Sequence, residues 1–145
     1  MQGYWNNQEE TKKTLVNGWL RTGDLGWVDE YGYLHIVDRI KEVIISGGVN
    51  IYPREVEEVL NKHSGVKETA VIGVPDEKWG EAVVAYIVPN GTKEVTDEQL
   101  IELCNNNLAS FKKPKEIIIV DSLPKSSYGK ILKRELVKRH EEVVK

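Results

Sequence analysis

The chain has 145 residues, 40% of them hydrophobic and 30% charged, which is the balance of a globular protein large enough for its own core. The net charge of −3 gives no electrostatic basis for nucleic-acid binding, and no apolar run approaches the roughly 20 residues that span a bilayer. The single cysteine, Cys104, excludes an internal disulfide framework and is typical of a reducing compartment. We therefore expect a cytoplasmic protein without a transmembrane segment.

The first segment, residues 1–40, is too short to enclose a core. A polar stretch with glycine at 29–32 separates two strand-like runs and predicts a hairpin. Three of the four tryptophans fall in this segment and need a partner surface: Trp5, Trp19 and Trp27. We interpret residues 1–40 as the C-terminal edge of a larger N-terminal domain.

The second segment, residues 41–145, has the pattern of an independent domain. Apolar runs and helix-start signals alternate in the order β-α-β-β-α-β-α, which predicts an α+β fold, a small two-layer domain with helices packed on a short sheet. Cys104 is expected in the core of a helix, and His63 is expected on the buried face of the helix that begins at Pro53. The predicted strands are 42–45, 69–74, 82–88 and 117–120, and the predicted helices begin at Pro53, at the capping box Thr96–Gln99 and at Leu132.

Lys130 lies beside Gly129 in a loop that precedes the last helix. Its long side chain could present a positive charge to phosphate or carboxylate oxygens, and the glycine would let the backbone approach a ligand closely. The alternative is an ordinary solvated lysine. The basic residues of the last helix itself are interpreted as a solvated face: Lys133, Arg134, Lys138 and Arg139.

Asp24 follows Thr22-Gly23 and could accept the two hydroxyl protons of a ribose, although an Asx-turn that closes its own loop is an equal alternative. Arg39 could contact phosphate or pair with Asp38. Farther along, Gly47-Gly48 could form a β-bulge or a plain turn, or a bare floor over which a thin chain such as pantetheine slides. The sequence has no P-loop spacing, no metal-ligand spacing and no nucleophile elbow, so we expect no bound metal site.

Taken together, these segments resemble the C-terminal part of the AMP-forming adenylating enzymes, which include acyl-CoA synthetases, luciferases and peptide-synthetase adenylation domains. The chain looks most like a fatty or aryl acyl-CoA ligase. The resemblance covers nearly the whole chain, and its segments occur in the expected order: 3–6, 18–24, 38–42, 46–57, 111–115 and 123–131.

The resemblance implies a role for each candidate residue. Asp24 would bind the ribose hydroxyls of ATP, and Arg39 would contact ribose or phosphate. Lys130 would reach the acyl carboxylate and the α-phosphate during adenylation. Lys41 would be the hinge about which the small domain, residues 41–145, rotates before the second half-reaction.

The same resemblance implies the cofactors and partners. Gly47 and Gly48 would line the pantetheine tunnel for CoA, while ATP and Mg²⁺ would be bound mainly by the N-terminal domain, the expected partner together with a carboxylic acid. The sequence departs from the family at Tyr128, where a small hydroxyl residue is usual, and at Asn50, where arginine is frequent. The family's phosphate loop and acyl pocket lie upstream of the segments present, so we expect no adenylation by this chain alone.

Two other functions stay open. The chain could belong to an adenylation domain that loads a carrier protein, or it could be a non-catalytic module that binds CoA or a carrier protein.

Overall fold

The computed structural model describes residues 1–143, which divide into two compact units, Met1–Lys41 and a second unit that begins at Glu42. No helix among the described residues is both long enough and apolar enough to span a membrane. The first unit contains one helix and four short strands: α1 (Gln8–Thr14), β1 (Leu15–Val16), β2 (Trp19–Leu20), β3 (Asp24–Val28) and β4 (Leu34–Arg39).

Local hydrogen bonds explain the elements of the first unit. The side chain of Asn7 accepts the N–H of Glu10 at 3.0 Å and caps α1, as Asn often does at a helix start. The β3–β4 hairpin is confirmed, and Asp29 Oδ1 accepts the N–H groups of Tyr31 and Tyr33 within its turn. The three tryptophans of this unit are exposed, Trp5 by 92%. The unit by itself therefore leaves large apolar rings in water.

The second unit is built on one five-stranded sheet. The strands β5 (Ile44–Ser46), β6 (Val49–Ile51), β8 (Gly80–Pro89) and β7 (Val66–Asp76) follow the order β6-β5-β8-β7 and are antiparallel, while β9 (Glu116–Ile119) pairs parallel to β8. The helices are α2 (Pro53–Leu60), α3 (Asp97–Asn107) and α4 (Lys133–Val143).

Alternation along β7 and β8 gives the sheet two apolar faces. Val71, Val83 and Ala85 pack with α2 and α3, where Leu100 and Cys104 are buried. The opposite face packs with the segment before α4 and with α4 itself: Ala70, Ile72, Val84, Tyr86, Leu123 and Leu136. The predicted α+β class with helices on a short sheet is confirmed, and the structure adds that α4 covers the second face.

The capping box of α3 is confirmed. Thr96 Oγ1 accepts the N–H of Gln99, and Gln99 Oε1 accepts the N–H of Thr96.

Two sequence predictions need correction. His63 lies beyond the end of α2, half-buried, and accepts the N–H of Gly65 at 3.2 Å instead of continuing the helix. Lys133 is not part of a solvated face, because its side chain is only 20% exposed and is held by carboxylates.

Candidate functional site

Lys130 lies at the end of a tight turn that begins at Ser126. Ser126 N–H donates to the carbonyl of Lys130 at 2.8 Å, and Lys130 N–H donates to Ser126 Oγ at 3.2 Å. Gly129 adopts φ +79°, the left-handed conformation that glycine occupies without steric cost. Lys130 and the neighbouring Tyr128 are both exposed. The backbone of the turn is thus fixed by its own hydrogen bonds, while the lysine side chain faces solvent.

The stem of this turn is attached to the core of the second unit. Lys125 and Ile131 form a β-bridge, and Leu132 N–H donates to the carbonyl of Pro124 at 2.8 Å. Leu123, at the start of the stem, is buried against the sheet. Lys125 also pairs with Glu68 on β7. The Lys130 turn is therefore a stiff projection of the domain.

Gly47 and Gly48 form the two-residue turn that joins β5 to β6. Ser46 pairs with Val49, and the two glycines have φ of +57° and +79°, as a primed hairpin turn requires. The sequence left a β-bulge, a plain turn and a functional floor open for this segment. It is a hairpin turn, not a β-bulge, and both glycines are exposed. A tunnel floor would need exposed residues without side chains, and Gly47 and Gly48 meet that need. The turn also requires glycine at these positions for its backbone conformation.

Trp79 lies directly against Gly47. Gly47 N–H donates to the carbonyl of Trp79 at 2.8 Å, and a Cβ added at Gly47 would come within 2.8 Å of Trp79 Cε3. The ring is about half exposed. Together the glycine turn and the indole form a surface with one aromatic wall and no side chain on the adjoining floor. Such a surface can pack against a slender apolar chain.

The loop that carries Trp79 is held by Asp76. Asp76 Oδ1 accepts the N–H groups of Lys78 and Trp79, each at 3.0 Å, and Oδ2 accepts Lys115 Nζ at 2.5 Å. The Lys115 ammonium and then the Trp79 N–H hold the pKa of Asp76 below its ordinary value. Sequence reasoning missed Trp79, although an Asp three residues before a lone tryptophan, followed by Gly80, is an available signal for such a turn.

The two turns are attached at different ends of the β7–β8 hairpin. The glycine turn joins the end at which Asp76 pairs with Gly80, because Ser46 also pairs with Gly80. The stem of the Lys130 turn is attached by Lys125 to Glu68, near the other end of β7. Eight residues of extended strand between Glu68 and Asp76 correspond to about 25 Å.

Asp24 and Arg39 are brought together on neighbouring strands of the first unit. They are directly paired in the β3–β4 register, and Arg39 Nε lies 3.1 Å from Asp24 Oδ1. The backbone N–H of Asp24 donates to Thr22 Oγ1 at 3.2 Å. An ionised carboxylate has about four lone-pair positions, so the contact with Arg39 leaves acceptor capacity on Asp24. A hydroxylated ligand and a phosphate could both be held here.

Lys41 lies at the point where the chain leaves the first unit. It is exposed, and it belongs to a short 3₁₀ turn, Ile40–Glu42, that spans the boundary between the two units. A single short turn between compact units is a place where a few backbone dihedrals can absorb a rotation.

Metal and thiol chemistry have no candidates among residues 1–143. No group of three or more His, Cys, Asp or Glu side chains in that range could hold a metal ion. Cys104 is buried within α3, and burial raises the pKa of its thiol, as expected of a core residue.

The second unit is thus a helix-covered sheet that carries an exposed lysine turn and a glycine turn, and one short segment joins it to the unit Met1–Lys41. The family model of the AMP-binding enzyme C-terminal domain matches residues 55–130, just over half of the chain. The chain therefore belongs to this family, which confirms the resemblance to the AMP-forming adenylating enzymes.

Two relatives of this chain are CoA ligases. The chain is 46% identical over 144 residues to the long-chain-fatty-acid–CoA ligase FadD13 of Mycobacterium tuberculosis, and the match covers 99% of this chain and 28% of the relative. It is 51% identical over 138 residues to the 2-succinylbenzoate–CoA ligase of Listeria monocytogenes, with 95% of this chain and 29% of the relative covered. The chain thus spans less than a third of the length of these relatives.

A solved structure shows the same family relationship. The o-succinylbenzoate CoA synthetase MenE from Bacillus subtilis, in complex with the acyl-adenylate intermediate OSB-AMP, superposes with a TM-score of 0.88 at 42% identity. The match covers 94% of this chain and 28% of that one. The fold described above is therefore the fold of the corresponding part of an adenylate-forming enzyme.

Proposed function

We propose that the chain is the C-terminal part of an ATP-dependent, AMP-forming acyl-CoA synthetase that activates a carboxylic acid, fatty or aryl, and transfers the acyl group to CoA. The observation that carries this proposal is the placement of two different turns on one domain. One turn presents a cation and the other a bare floor with an aromatic wall, and their attachments are about 25 Å apart along β7. One orientation of the domain would not present both turns to the same substrate atoms.

In the first half-reaction the acid's carboxylate oxygen attacks the α-phosphorus of ATP, and pyrophosphate leaves. Lys130 would lie between the two anions and lower the repulsion as they approach, because a preorganised cation acts most strongly where charge develops. Asp24 would accept the ribose hydroxyl protons, and Arg39, which already contacts Asp24, would reach ribose or phosphate.

In the second half-reaction the CoA sulfur attacks the acyl carbonyl carbon, and AMP leaves. Rotation at Lys41 would withdraw the Lys130 turn and bring in Gly47 and Gly48, over which pantetheine would pass against Trp79. Such a motion gates the two steps without any change inside the domain. Mg²⁺, which neutralises the phosphates of ATP, would be held with ATP mainly by the remainder of the enzyme.

The proposal is tested with a hybrid ligase, in which this chain replaces the matching segment of the Listeria 2-succinylbenzoate–CoA ligase. We expect the hybrid to form acyl-adenylate and then thioester with the acid for which that relative is named. The relative truncated before the replaced segment and the 145-residue chain alone are the controls, and both should be inactive in adenylation. A folded hybrid without either half-reaction contradicts the proposal.

The same hybrid separates the alternatives. Transfer to CoA supports a free-standing ligase, whereas transfer to a carrier protein with no transfer to CoA supports an adenylation domain. Calorimetric binding of CoA or a carrier protein by the chain, together with a hybrid that is inactive in both steps, supports a non-catalytic binding module.

A further inference from the structure

Lys133, the first residue of α4, is a largely enclosed cation shared by two carboxylates. Its Nζ lies 2.8 Å from Glu57 Oε1 on α2 and 3.1 Å from Glu42 Oε2. The three side chains are 20%, 18% and 31% exposed, so the cluster is screened from solvent far better than a surface ion pair. Breaking a pair in such surroundings leaves an uncompensated charge.

The cluster joins elements that are distant in sequence. Glu57 Oε1 also accepts the N–H of Val71 at 2.9 Å, which adds β7 to α2 and α4. Glu42 is the first residue of the second unit and directly follows Lys41. Lys133 itself comes three residues after Lys130. The Lys133 ammonium group thereby connects Glu42, the residue after Lys41, to the end of the Lys130 turn.

The charge state of Lys133 suits this role. Burial opposes the charged form, but the carboxylates of Glu57 and Glu42 outweigh it and hold the pKa of Lys133 above its ordinary value. The other lysine of the stem, Lys125, is paired with Glu68 in a more exposed setting, where ion pairs contribute little. The half-buried cluster, in which two carboxylates share one ammonium group, is therefore the stronger of the two charged anchors of the turn.

We propose that Lys133 is a positioning residue for Lys130: by binding Glu57 and Glu42 it fixes the end of the Lys130 turn to α2 and to the residue that follows Lys41. A rotation at Lys41 then carries the turn as a rigid part of the domain, and Lys130 arrives at the reacting anions in one position. This inference rests on the assignment of Lys130 under the proposed function. It gives Lys133 no contact with substrate.

The first arm of the test measures anchoring in the 145-residue chain by amide hydrogen exchange. In Lys133→Met the amides of Ser126 and Leu132, which close the turn and its stem, should exchange at least about tenfold faster, while Ala85 in the central strand should be unchanged. Lys138→Met, at an exposed lysine of the same helix, is the matched control and should change neither. Unchanged exchange at Ser126 and Leu132 overturns the proposal, and so does equal acceleration at Ala85, which would mark a general stabiliser.

The second arm measures the hybrid ligase. Lys133→Met should lower kcat for adenylation by about 10- to 100-fold, because a misplacement of about 1 Å can cost that much, with KM for ATP and acid within about threefold. Thioester formation from supplied acyl-adenylate should be nearly unaffected, and Lys133→Arg, which can still bridge two carboxylates, should recover most of the lost rate. Equal loss in both half-reactions, or no recovery by arginine, overturns the proposal.

If Lys133→Met does not fold, Glu42→Gln removes only the negative charge of the partner next to Lys41 and should give the same pattern with smaller changes. The two proposals fail in different ways. Loss of the proposed function would show as full adenylation by Lys130→Ala, whereas loss of this inference would show as an unchanged Ser126–Leu132 stem in the exchange experiment.

Discussion

The Lys130 turn and the Gly47–Gly48 turn have similar backbones but present different groups to solvent. Both are tight, exposed and dependent on glycine at positive φ. The first is held by its stem and presents a long cationic side chain, whereas the second is backed by Trp79 and presents no side chain at all. The difference supports the proposal that one turn supplies charge and the other supplies clearance. We therefore assign them to different chemical steps.

The largest effect is expected at the charged turn. Lys130→Ala in the hybrid ligase should lower the rate of adenylation by about 100- to 1,000-fold, since removal of one preorganised donor typically costs that much. Thioester formation from supplied acyl-adenylate should stay within about threefold. The measurement is pyrophosphate release for the first step and thiol consumption for the second. Lys125→Ala, in the stem of the same turn, serves as control and should cost much less.

The next effect concerns the bare turn. Gly47→Leu should lower thioester formation by about 100-fold, because the added side chain would collide with Trp79 and obstruct the floor, while adenylation is retained. Gly91→Leu is the matched control: Gly91 also has a positive φ, +74°, but a Cβ there meets no atom within 4 Å. If CoA transfer survives in the Gly47 variant, the tunnel assignment is wrong.

A smaller effect is expected where Asp76 holds Trp79. Ionised Asp76 has a lowered pKa in the folded state, so its contribution to the loop is present above the ordinary value of 3.8 and is lost as pH falls through the lowered pKa. In residues 42–145 Trp79 is the single tryptophan. In a fragment of residues 42–145, the tryptophan fluorescence therefore reports on Trp79 alone. It should change only below about pH 3.8.

Asp76→Asn gives the companion result. The variant should show altered Trp79 emission at neutral pH and thioester formation slowed by about tenfold, because the loop loses its ion pair with Lys115 and the Trp79 ring moves. Asp121→Asn, at an exposed residue elsewhere in the same unit, is the control. An emission spectrum that is identical in Asp76→Asn and the parent chain would show that Asp76 does not position Trp79.

Features set by neighbours in sequence were predictable. The β3–β4 hairpin, the Thr96–Gln99 capping box and the burial of Cys104 follow from local patterns, and all are confirmed. Even the glycine turn could be identified as a turn. The sequence alone could not identify β6, the strand that follows this turn, because three residues are too short to show a strand pattern.

The features that sequence reasoning missed depend on distant contacts. Trp79 reaches Gly47 only because Ser46 pairs with Gly80 across the sheet. The sequence places Lys133 on a solvated face together with the other basic residues of the last helix. In the structure it is enclosed by the carboxylates of Glu57 and Glu42, which lie 76 and 91 residues earlier in the chain. Such pairs carry no periodicity, so a single sequence does not reveal them.

If the two turns act in different half-reactions, a substitution in each turn should slow a different step. The ratio of adenylation rate to thioester-forming rate is measured in the hybrid ligase, in Lys130→Ala and in Gly47→Leu. We expect the ratio to fall at least about 30-fold in Lys130→Ala and to rise at least about 30-fold in Gly47→Leu, consistent with effects at preorganised groups. A ratio that moves in the same direction in both variants, or in neither, would show that the two turns do not act in different half-reactions.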